Sequence, residues 1–102
     1  MIECTATVCW MQAKELSVEN KFWVQIGIFR VQAKVNQIHS KIALIDGASK
    51  KTDHLKMNDI GEISLQFAKP ILGSSFITNK ALGSFIMIDS QTNNTAGAGF
   101  IK

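Results

Sequence analysis

The sequence predicts an all-β protein, a small closed antiparallel six-stranded β-barrel that forms a single domain over residues 1–102. Apolar residues recur with period two along much of the chain, a pattern typical of strands that bury one face. Six such runs are separated by polar and glycine-containing turns. A barrel is favoured over an open sheet because closure removes the exposed edges that a small open sheet would leave.

The first three strands are predicted from the alternation of apolar residues with mainly polar ones. The three apolar faces are Ala6, Val8 and Trp10; Phe22, Val24, Ile26 and Ile28; and Val31, Ala33 and Val35. Side chains two residues apart on a strand point to the same face of the sheet. We therefore expect each of these sets to face the core of the barrel.

The last three strands are predicted in the C-terminal half of the chain. Their apolar residues are Ile63, Leu65 and Phe67 in the first, the run Phe85 to Ile88 in the second, and Ala96, Ala98 and Phe100 in the third. The unbroken run 85–88 is typical of a strand covered on both faces. Gly97 and Gly99 lie within the last strand, where glycine often marks a bend or a close approach of backbone.

Turn-forming residues separate the runs at 17–20, 46–49, 58–61, 73–75 and 90–94. The segment 39–58 is longer and less regular, and we expect an irregular strand followed by an excursion. Pro70 follows a strand, where its missing N–H costs the ladder nothing. The aspartates Asp46, Asp53, Asp59 and Asp89 lie in or beside turns. There a carboxylate usually bonds its own backbone, which is favoured here over a catalytic pair.

Composition and charge indicate a globular domain without a membrane span. The net charge is +3 and the pI about 9.0, but the lysines stand apart except for Lys50 and Lys51. Such dispersion indicates a solvated surface more than a stripe that binds nucleic acid. No apolar run approaches the roughly 18 residues that a membrane-spanning helix needs. The first four residues also lack the basic start and apolar stretch of a signal peptide.

The two cysteines, Cys4 and Cys9, are five residues apart on one predicted strand. Their side chains should therefore point to opposite faces and lie about 17 Å apart along the strand. A disulfide requires Cα atoms within about 7 Å, so we expect two reduced thiols. Reduced thiols are typical of the cytoplasm, which is the expected location.

A search for reactive motifs finds none, and the sequence predicts no catalytic, cofactor-binding or metal-binding residue in this chain. The phosphate-binding pattern G-x-x-x-x-G-K-[ST] is absent. Residues 79–82 begin like the guanine-binding N-K-x-D signature, but Leu82 replaces its carboxylate. His39 and His54 lack the short spacing of zinc ligands, and no G-x-S-x-G elbow supports a nucleophilic serine. The sequence favours an interaction module over an enzyme.

Two aromatic residues suggest where such a module makes contact. Trp23 and Phe29 both alternate out of phase with Phe22, so we expect them to form an outward pair. An exposed aromatic pair can dock another domain, or it can stack nucleic-acid bases. Docking is favoured because the lysines of the chain are dispersed and form no basic stripe beside the pair.

The C-terminal half also resembles a known family. Residues 57–71 and 78–102 resemble the end of the large, GTPase subunit of bacterial sulfate adenylyltransferase (CysN-like), in the elongation factor Tu-like superfamily. Residues that match its pattern are Asn58, Ile60, Gly61, Pro70, Asn79, Gly83, Phe85, Ile86, Ile88, Asp89, Asn93, Thr95, Gly99 and Ile101. Weaker similarity in residues 8–16 and 30–44 extends the resemblance over nearly the whole chain.

The resemblance implies a barrel like the C-terminal barrel of elongation factor Tu, and a C-terminal fragment of a larger GTPase subunit. Such a parent has a G domain and a middle barrel before this one, and it pairs with a small catalytic subunit. The complex converts ATP and sulfate to adenosine 5′-phosphosulfate, driven by GTP hydrolysis. GTP and Mg would bind in the N-terminal domain of the parent, and no cofactor would bind to this fragment.

The expected role is therefore contact with the other domains of the parent or with the small subunit. Trp23, Phe29, Asn58 and Asp59 are the candidate interface residues, from the outward aromatic pair and the matching turn. The alternative is a tRNA-binding barrel of a translation elongation factor-like GTPase, which shares the fold. The chain departs from the family pattern at Ser74 and Lys80, where the family has an acidic residue and an arginine.

Overall fold

A computed structural model describes residues 1–43 and 45–102 of the chain. In these residues the secondary structure consists of strands and one helical turn. The elements are β1 (Glu3–Trp10), β2 (Leu16–Ser17), β3 (Lys21–Ile26), β4 (Phe29–Ile42), β5 (Ser49–Lys51), β6 (His54–Leu55), β7 (Ile60–Phe67), α1 (Lys80–Gly83), β8 (Ser84–Ile88) and β9 (Thr95–Ile101). The predicted all-β class is confirmed.

Six of the strands close into a ring. They follow one another in the order β3, β8, β9, β1, β7 and β4, and β4 pairs with β3 to complete the circle. Every pairing in the ring is antiparallel. The predicted closed six-stranded barrel is therefore confirmed, and β5 adds a short seventh strand to the far end of β4 outside the ring.

The core is one cluster of side chains inside the ring. The Trp10 and Phe22 rings meet edge to face within it, with centroids 5.3 Å apart. The fully buried large side chains are Trp10, Leu16, Leu55, Ile63, Leu65, Met87, Val8, Val24 and Val35. The predicted inward faces of β1 and β7 are confirmed, because every apolar residue assigned to them is buried.

Two predicted core positions are wrong. Ile28 is 91% exposed, because β3 ends at Ile26 and the chain turns at Gly27, which has φ +60°. Phe100 is 43% exposed while Ile101 is buried, so the C-terminal part of β9 has the opposite phase to the expected one, although Ala96 of the same predicted set is buried. At Ile28, by contrast, the phase of β3 is correct and the strand has already ended.

The phase of β9 is set by its glycines. Gly99 lies directly opposite Val8, whose side chain points into the core. A Cβ atom on Gly99 would stand 2.9 Å from the Val8 side chain and would collide with the backbone oxygen of Thr7. Gly97 similarly faces Trp10. Glycine is therefore required at position 99, while at position 97 a Cβ atom would be in tight contact, 3.3 Å from the Trp10 ring. Both agree with the predicted close approach of backbone.

Within the irregular segment 39–58, the structure describes every residue except Leu44. Strand β4 continues to Ile42 and is interrupted by two register shifts, between Val35 and Gln37 and between Ile38 and Ser40. Such bulges bend a strand, so that β4 can pair with β3 at one end and with β5 at the other. The turn that follows is fixed by Gly47 at φ +70° and by Asp46, whose carboxylate accepts the Ala48 N–H at 3.0 Å.

The two ends of the barrel differ. At the end where β1 finishes, β2 pairs with β6, and Leu16 and Leu55 face each other fully buried. Leu55 reaches over Gly61, where a Cβ atom would lie 2.6 Å from its Cδ2. We call this the plugged end. The opposite end, formed by the β3–β4 turn and by residues 68–73 after β7, is called the open end.

Candidate interaction surface at the open end

The structure places the two predicted aromatic contacts on different faces of the barrel wall. Trp23 is half-buried on the outer face of β3, directly opposite Ile88 of β8. Phe29 is directly opposite Ile26, and Ile26 is buried. Side chains of directly opposed residues share a face, so Phe29 lies on the inner side of the wall. The prediction of an outward aromatic pair is wrong, because the Gly27–Ile28 turn reverses the phase.

The predicted turn contacts lie at the plugged end, far from Phe29. Asn58 is exposed and adopts φ +73°, and its N–H donates to the Trp10 carbonyl at 2.8 Å. The Asp59 carboxylate accepts the Lys56 N–H at 2.8 Å. These bonds hold the turn against the end of β1. Contact of Asn58 and Asp59 with a partner stays a prediction, and the structure does not bring them together with Trp23 or Phe29.

The open end contains an apolar pocket of about 250 Å³ that the sequence did not indicate. We call it the open-end pocket. Its lining residues are Ile26, Phe29, Arg30, Val31, Lys69, Pro70, Ile71 and Leu72. Two large apolar side chains of the lining are exposed to solvent, Phe29 at 58% and Leu72 at 70%. Large apolar side chains that cluster in a concave surface mark interaction sites more often than singly scattered ones do.

Backbone hydrogen bonds hold the segment that includes residues 69–72, which forms one wall of the pocket. The Ala68 N–H donates to the Gln32 carbonyl at 2.8 Å, so the chain after β7 stays against β4. The Ile71 N–H donates to the Met1 carbonyl at 2.8 Å. Pro70 restricts the backbone between these anchors. The pocket is therefore preformed by fixed backbone on both sides.

Two cationic residues, Arg30 and Lys69, belong to the lining of the pocket, and both are exposed. The Arg30 guanidinium donates to the Gln25 side-chain oxygen at 3.1 Å. Because Arg30 and Gln25 are directly opposed in the β3–β4 register, this guanidinium lies on the outer face of the hairpin, opposite to Phe29. Within residues 1–43 and 45–102, neither cation takes part in an ion pair. The open-end pocket is therefore mainly apolar, with Lys69 exposed beside it.

The reactive residues outside this pocket are engaged with their neighbours. His39 Nε2 lies 2.7 Å from the Ser64 hydroxyl oxygen on the adjacent strand. His54 Nδ1 lies 2.9 Å from the Asp53 carboxylate, and this contact lowers the pKa of Asp53. The part of the chain that the structure describes contains no group of three or more potential metal ligands. It also contains no helix of the length and hydropathy needed to cross a membrane.

The two cysteines, Asn79 and Asp89 have local roles or environments in the structure. Cys4 and Cys9 are both free thiols, and burial raises the pKa of Cys4 to about 11. The Asn79 side-chain oxygen caps α1 by accepting the Leu82 N–H at 3.1 Å. The Asp89 carboxylate accepts hydrogen bonds from the Gln12 side chain and from the backbone of the turn that follows it, and these bonds lower its pKa.

Known proteins with similar sequences include one family model and several relatives. Residues 3–102 match the family model described as GTP-eEF1A C-terminal domain-like. The chain is 32% identical over 97 residues to the bifunctional enzyme CysN/CysC of Xylella fastidiosa, and 31% identical over 97 residues to sulfate adenylyltransferase subunit 1 of Shewanella woodyi. These alignments cover 95% of the chain, which spans only 16% and 21% of those relatives.

Solved structures share the fold at low sequence identity. The crystal structure of sup35 complexed with GDP superposes with a TM-score of 0.88 at 13% identity, over 98% of this chain and 24% of that one. The structure of sup35 complexed with GMPPNP gives 0.89 at 12% identity, over 99% and 25%. At this identity the likeness establishes the barrel fold alone.

Proposed function

Because this chain belongs to the GTP-eEF1A C-terminal domain-like family, we propose that it serves as the C-terminal barrel of a sulfate adenylyltransferase subunit 1-like GTPase. In that setting a G domain and a middle barrel precede it, and a small catalytic subunit completes the enzyme. The complex forms adenosine 5′-phosphosulfate from ATP and sulfate and is driven by GTP hydrolysis. GTP and Mg bind in the G domain.

The barrel itself contributes a contact rather than a chemical step in this proposal. It presents a rigid surface that a neighbouring domain meets in one nucleotide state and leaves in the other. The difference in contact energy between the two states needs to be of order 1–3 kcal/mol to couple two sites. The open-end pocket supports this role, since it is preformed and leaves Phe29 and Leu72 exposed.

A chimaera tests the proposal. The C-terminal barrel of Shewanella woodyi sulfate adenylyltransferase subunit 1 is replaced by this chain, and the product is co-expressed with the small subunit of that enzyme. We expect GTP-dependent pyrophosphate release from ATP and sulfate well above that of a subunit truncated before the barrel. A chimaera that folds and hydrolyses GTP, yet forms no more product than the truncated subunit, would contradict the proposal.

The tRNA-binding alternative makes a different prediction for the isolated barrel. Binding to tRNA should weaken steeply with salt, because each phosphate contact releases counterions. In a filter-binding titration with total tRNA, tight binding with a steep salt slope would favour the translation-factor role. Weak binding at every salt concentration would favour the docking role.

A further inference from the structure

We propose that the outer face of the β3–β4 hairpin binds single-stranded nucleic acid, with a base stacked on Trp23 and the neighbouring phosphates bound by lysine and arginine side chains. The inference goes beyond the proposed function and does not rest on it, because it concerns a ligand of the barrel itself. We call this surface the hairpin face, and it is formed by Lys21, Trp23, Gln25, Arg30, Gln32 and Lys34.

The strand register brings together cations that are dispersed in the sequence. Phe22 and Val24 of β3 are buried in the core, so the residues that alternate with them point outward. Side chains of directly opposed residues share a face. The hairpin face consists of three directly opposed pairs, Lys21 with Lys34, Trp23 with Gln32, and Gln25 with Arg30. Three cations and one aromatic side chain therefore lie on the same outer surface.

Trp23 lies between the cations along the hairpin. Residues two apart on a strand are separated by about 7 Å, so the lysine pair lies one such step to one side of Trp23 and the Arg30 pair one step to the other. The Arg30 guanidinium donates to the Gln25 side-chain oxygen at 3.1 Å and keeps further N–H donors for a ligand. A polynucleotide has a phosphate on each side of every base. Positive charge therefore lies on both sides of a base stacked on Trp23.

The lysine pair is only partly balanced by acidic groups. Like charges that are directly opposed on one face of a sheet are unfavourable. Lys34 Nζ lies 3.6 Å from the Glu19 carboxylate, whereas Lys21 has no ion pair within residues 1–43 and 45–102. Glu15 and Asp89 border a separate concavity with Lys21 but form no ion pair with it. A bound phosphate would relieve the repulsion between the two lysines.

A groove beside the lysine pair extends the hairpin face towards β7. Its volume is about 360 Å³, and its polar lining residues are Lys21, Gln32, Lys34 and Gln66. Gln32 and Gln66 are exposed, and their side-chain amides can both donate to and accept from the edges of bases. Glu3 lies opposite Gln66 but outside the lining, which contains no carboxylate. The groove is therefore suited to a strand with negative charge.

The combination of an aromatic side chain with cations favours a single strand over a duplex or an acidic protein segment. In a duplex the faces of the bases are stacked within the helix, whereas unpaired bases can stack on aromatic side chains. Trp23 is half-buried, so part of its ring is accessible. Proteins that bind single strands commonly pair such a ring with a basic groove along the phosphates. An acidic segment would use the cations but has no base to stack on Trp23.

Titration with an oligouridylate of about ten nucleotides, followed by ¹⁵N–¹H NMR, tests the inference on the whole 102-residue chain. We expect the indole N–H of Trp23 to shift together with the amides of Lys21 and Gln32, with a Kd of about 10⁻⁴ M. The indole N–H of Trp10 is the internal control, because it is buried and donates to the Lys14 carbonyl. A blunt RNA duplex of similar length and decaglutamate should each bind at least about fivefold more weakly.

Two sets of variants separate stacking from charge. Trp23→Leu should weaken oligouridylate binding at least about fivefold, whereas Trp23→Phe should keep most of it because phenylalanine still stacks. The double variant Lys21→Gln and Lys34→Gln should lower the slope of log K against log salt by about 0.7 for each lysine removed. The matched control Lys50→Gln and Lys51→Gln removes the same charge from β5 and should keep the wild-type slope.

A further variant should strengthen binding, which a loss of structure cannot do. Glu19→Gln removes the carboxylate that lies 3.6 Å from Lys34 Nζ and leaves this lysine available to a phosphate. We expect the Kd for oligouridylate to fall by about twofold. An unchanged or higher Kd would contradict the assignment of Lys34 to phosphate binding. Amide spectra of all variants confirm that the barrel stays folded.

Several outcomes would overturn the inference: an unshifted Trp23 indole, equal binding of oligouridylate and decaglutamate, or equal slopes in the two lysine variants. Tighter binding of the duplex or of total tRNA than of the single strand would assign the hairpin face to base-paired RNA instead. An active chimaera together with any of these results rejects only the inference. Selective binding of the single strand together with an inactive chimaera rejects only the proposed function.

Discussion

The two tryptophans occupy contrasting positions and therefore have different expected roles. Trp10 is a core residue that is 1% exposed, and its indole N–H donates to the Lys14 carbonyl at 2.8 Å. Trp23 is half-buried on the outer wall, where it lies opposite Ile88 of β8. The outward position predicted for Trp23 agrees with the structure, whereas its role in docking is still a prediction.

Replacing Trp23 by Ala should leave the barrel folded and weaken the association of the barrel with the rest of its parent. We expect a loss of about 1 kcal/mol in the free energy of unfolding, typical of a partly exposed side chain. The control, Trp10→Ala, should lose about 3–5 kcal/mol because it empties the core. Urea denaturation followed by circular dichroism measures both. If Trp23→Ala costs as much as Trp10→Ala, Trp23 is a core residue and not a contact.

The burial of Cys4 predicts how the free energy of unfolding depends on pH. Burial raises the pKa of its thiol from 9.0 to about 11. In this pH range the unfolded chain loses the proton before the folded chain does, so the folded state binds more protons and stability falls as pH rises. The stabilising contribution is complete below about pH 9 and is lost towards about pH 11. Compared with Cys4→Ala, the wild-type protein should lose more of its free energy of unfolding between these pH values.

Urea denaturation of both proteins at the two pH values measures this difference, and the comparison removes the shared titration of the lysines. If the two proteins show the same pH dependence, the Cys4 thiol is not protected from ionisation by burial.

At the scale of elements, strands long enough to show a period were predictable and shorter ones were not. Strand β7 alternates over Ile60–Phe67, and its inward face follows from the sequence. Strands β2 and β6 contain two residues each, too few for any periodicity. Their pairing depends on Leu16 meeting Leu55, a contact between residues far apart in the chain. The plug was therefore not predictable from local pattern.

The plug should stabilise the barrel substantially. Leu55 is fully buried and covers Gly61, so Leu55→Ala leaves a cavity at the plugged end. We expect a loss of about 2–5 kcal/mol in the free energy of unfolding. Leu72→Ala is the matched control, because Leu72 is 70% exposed at the open end and its truncation should cost less than about 0.5 kcal/mol. Similar losses in the two variants would show that β2 and β6 do not act as a plug.

For the molecule as a whole, the closed ring followed from the number and spacing of the strands, but the candidate site did not. The open-end pocket unites Phe29 and Arg30 with residues 69–72, which reach it only because β7 pairs with β4. The sequence indicated Phe29 but placed it on the wrong face, since phase across a turn depends on which residues the turn uses. Closure of the ring brings the residues of the open-end pocket together. They can therefore be identified only when the register of every strand is known.

Closure also predicts how the barrel unfolds. The ring shares one hydrophobic core, so no strand can leave without exposing the residues of its neighbours. Small domains of this kind usually unfold in a single cooperative transition. In the variant Trp23→Phe, the fluorescence of Trp10 should report the core alone, while circular dichroism reports all strands. We expect the two signals to give the same urea midpoint, and an earlier fluorescence transition would show that the core loosens before the ring opens.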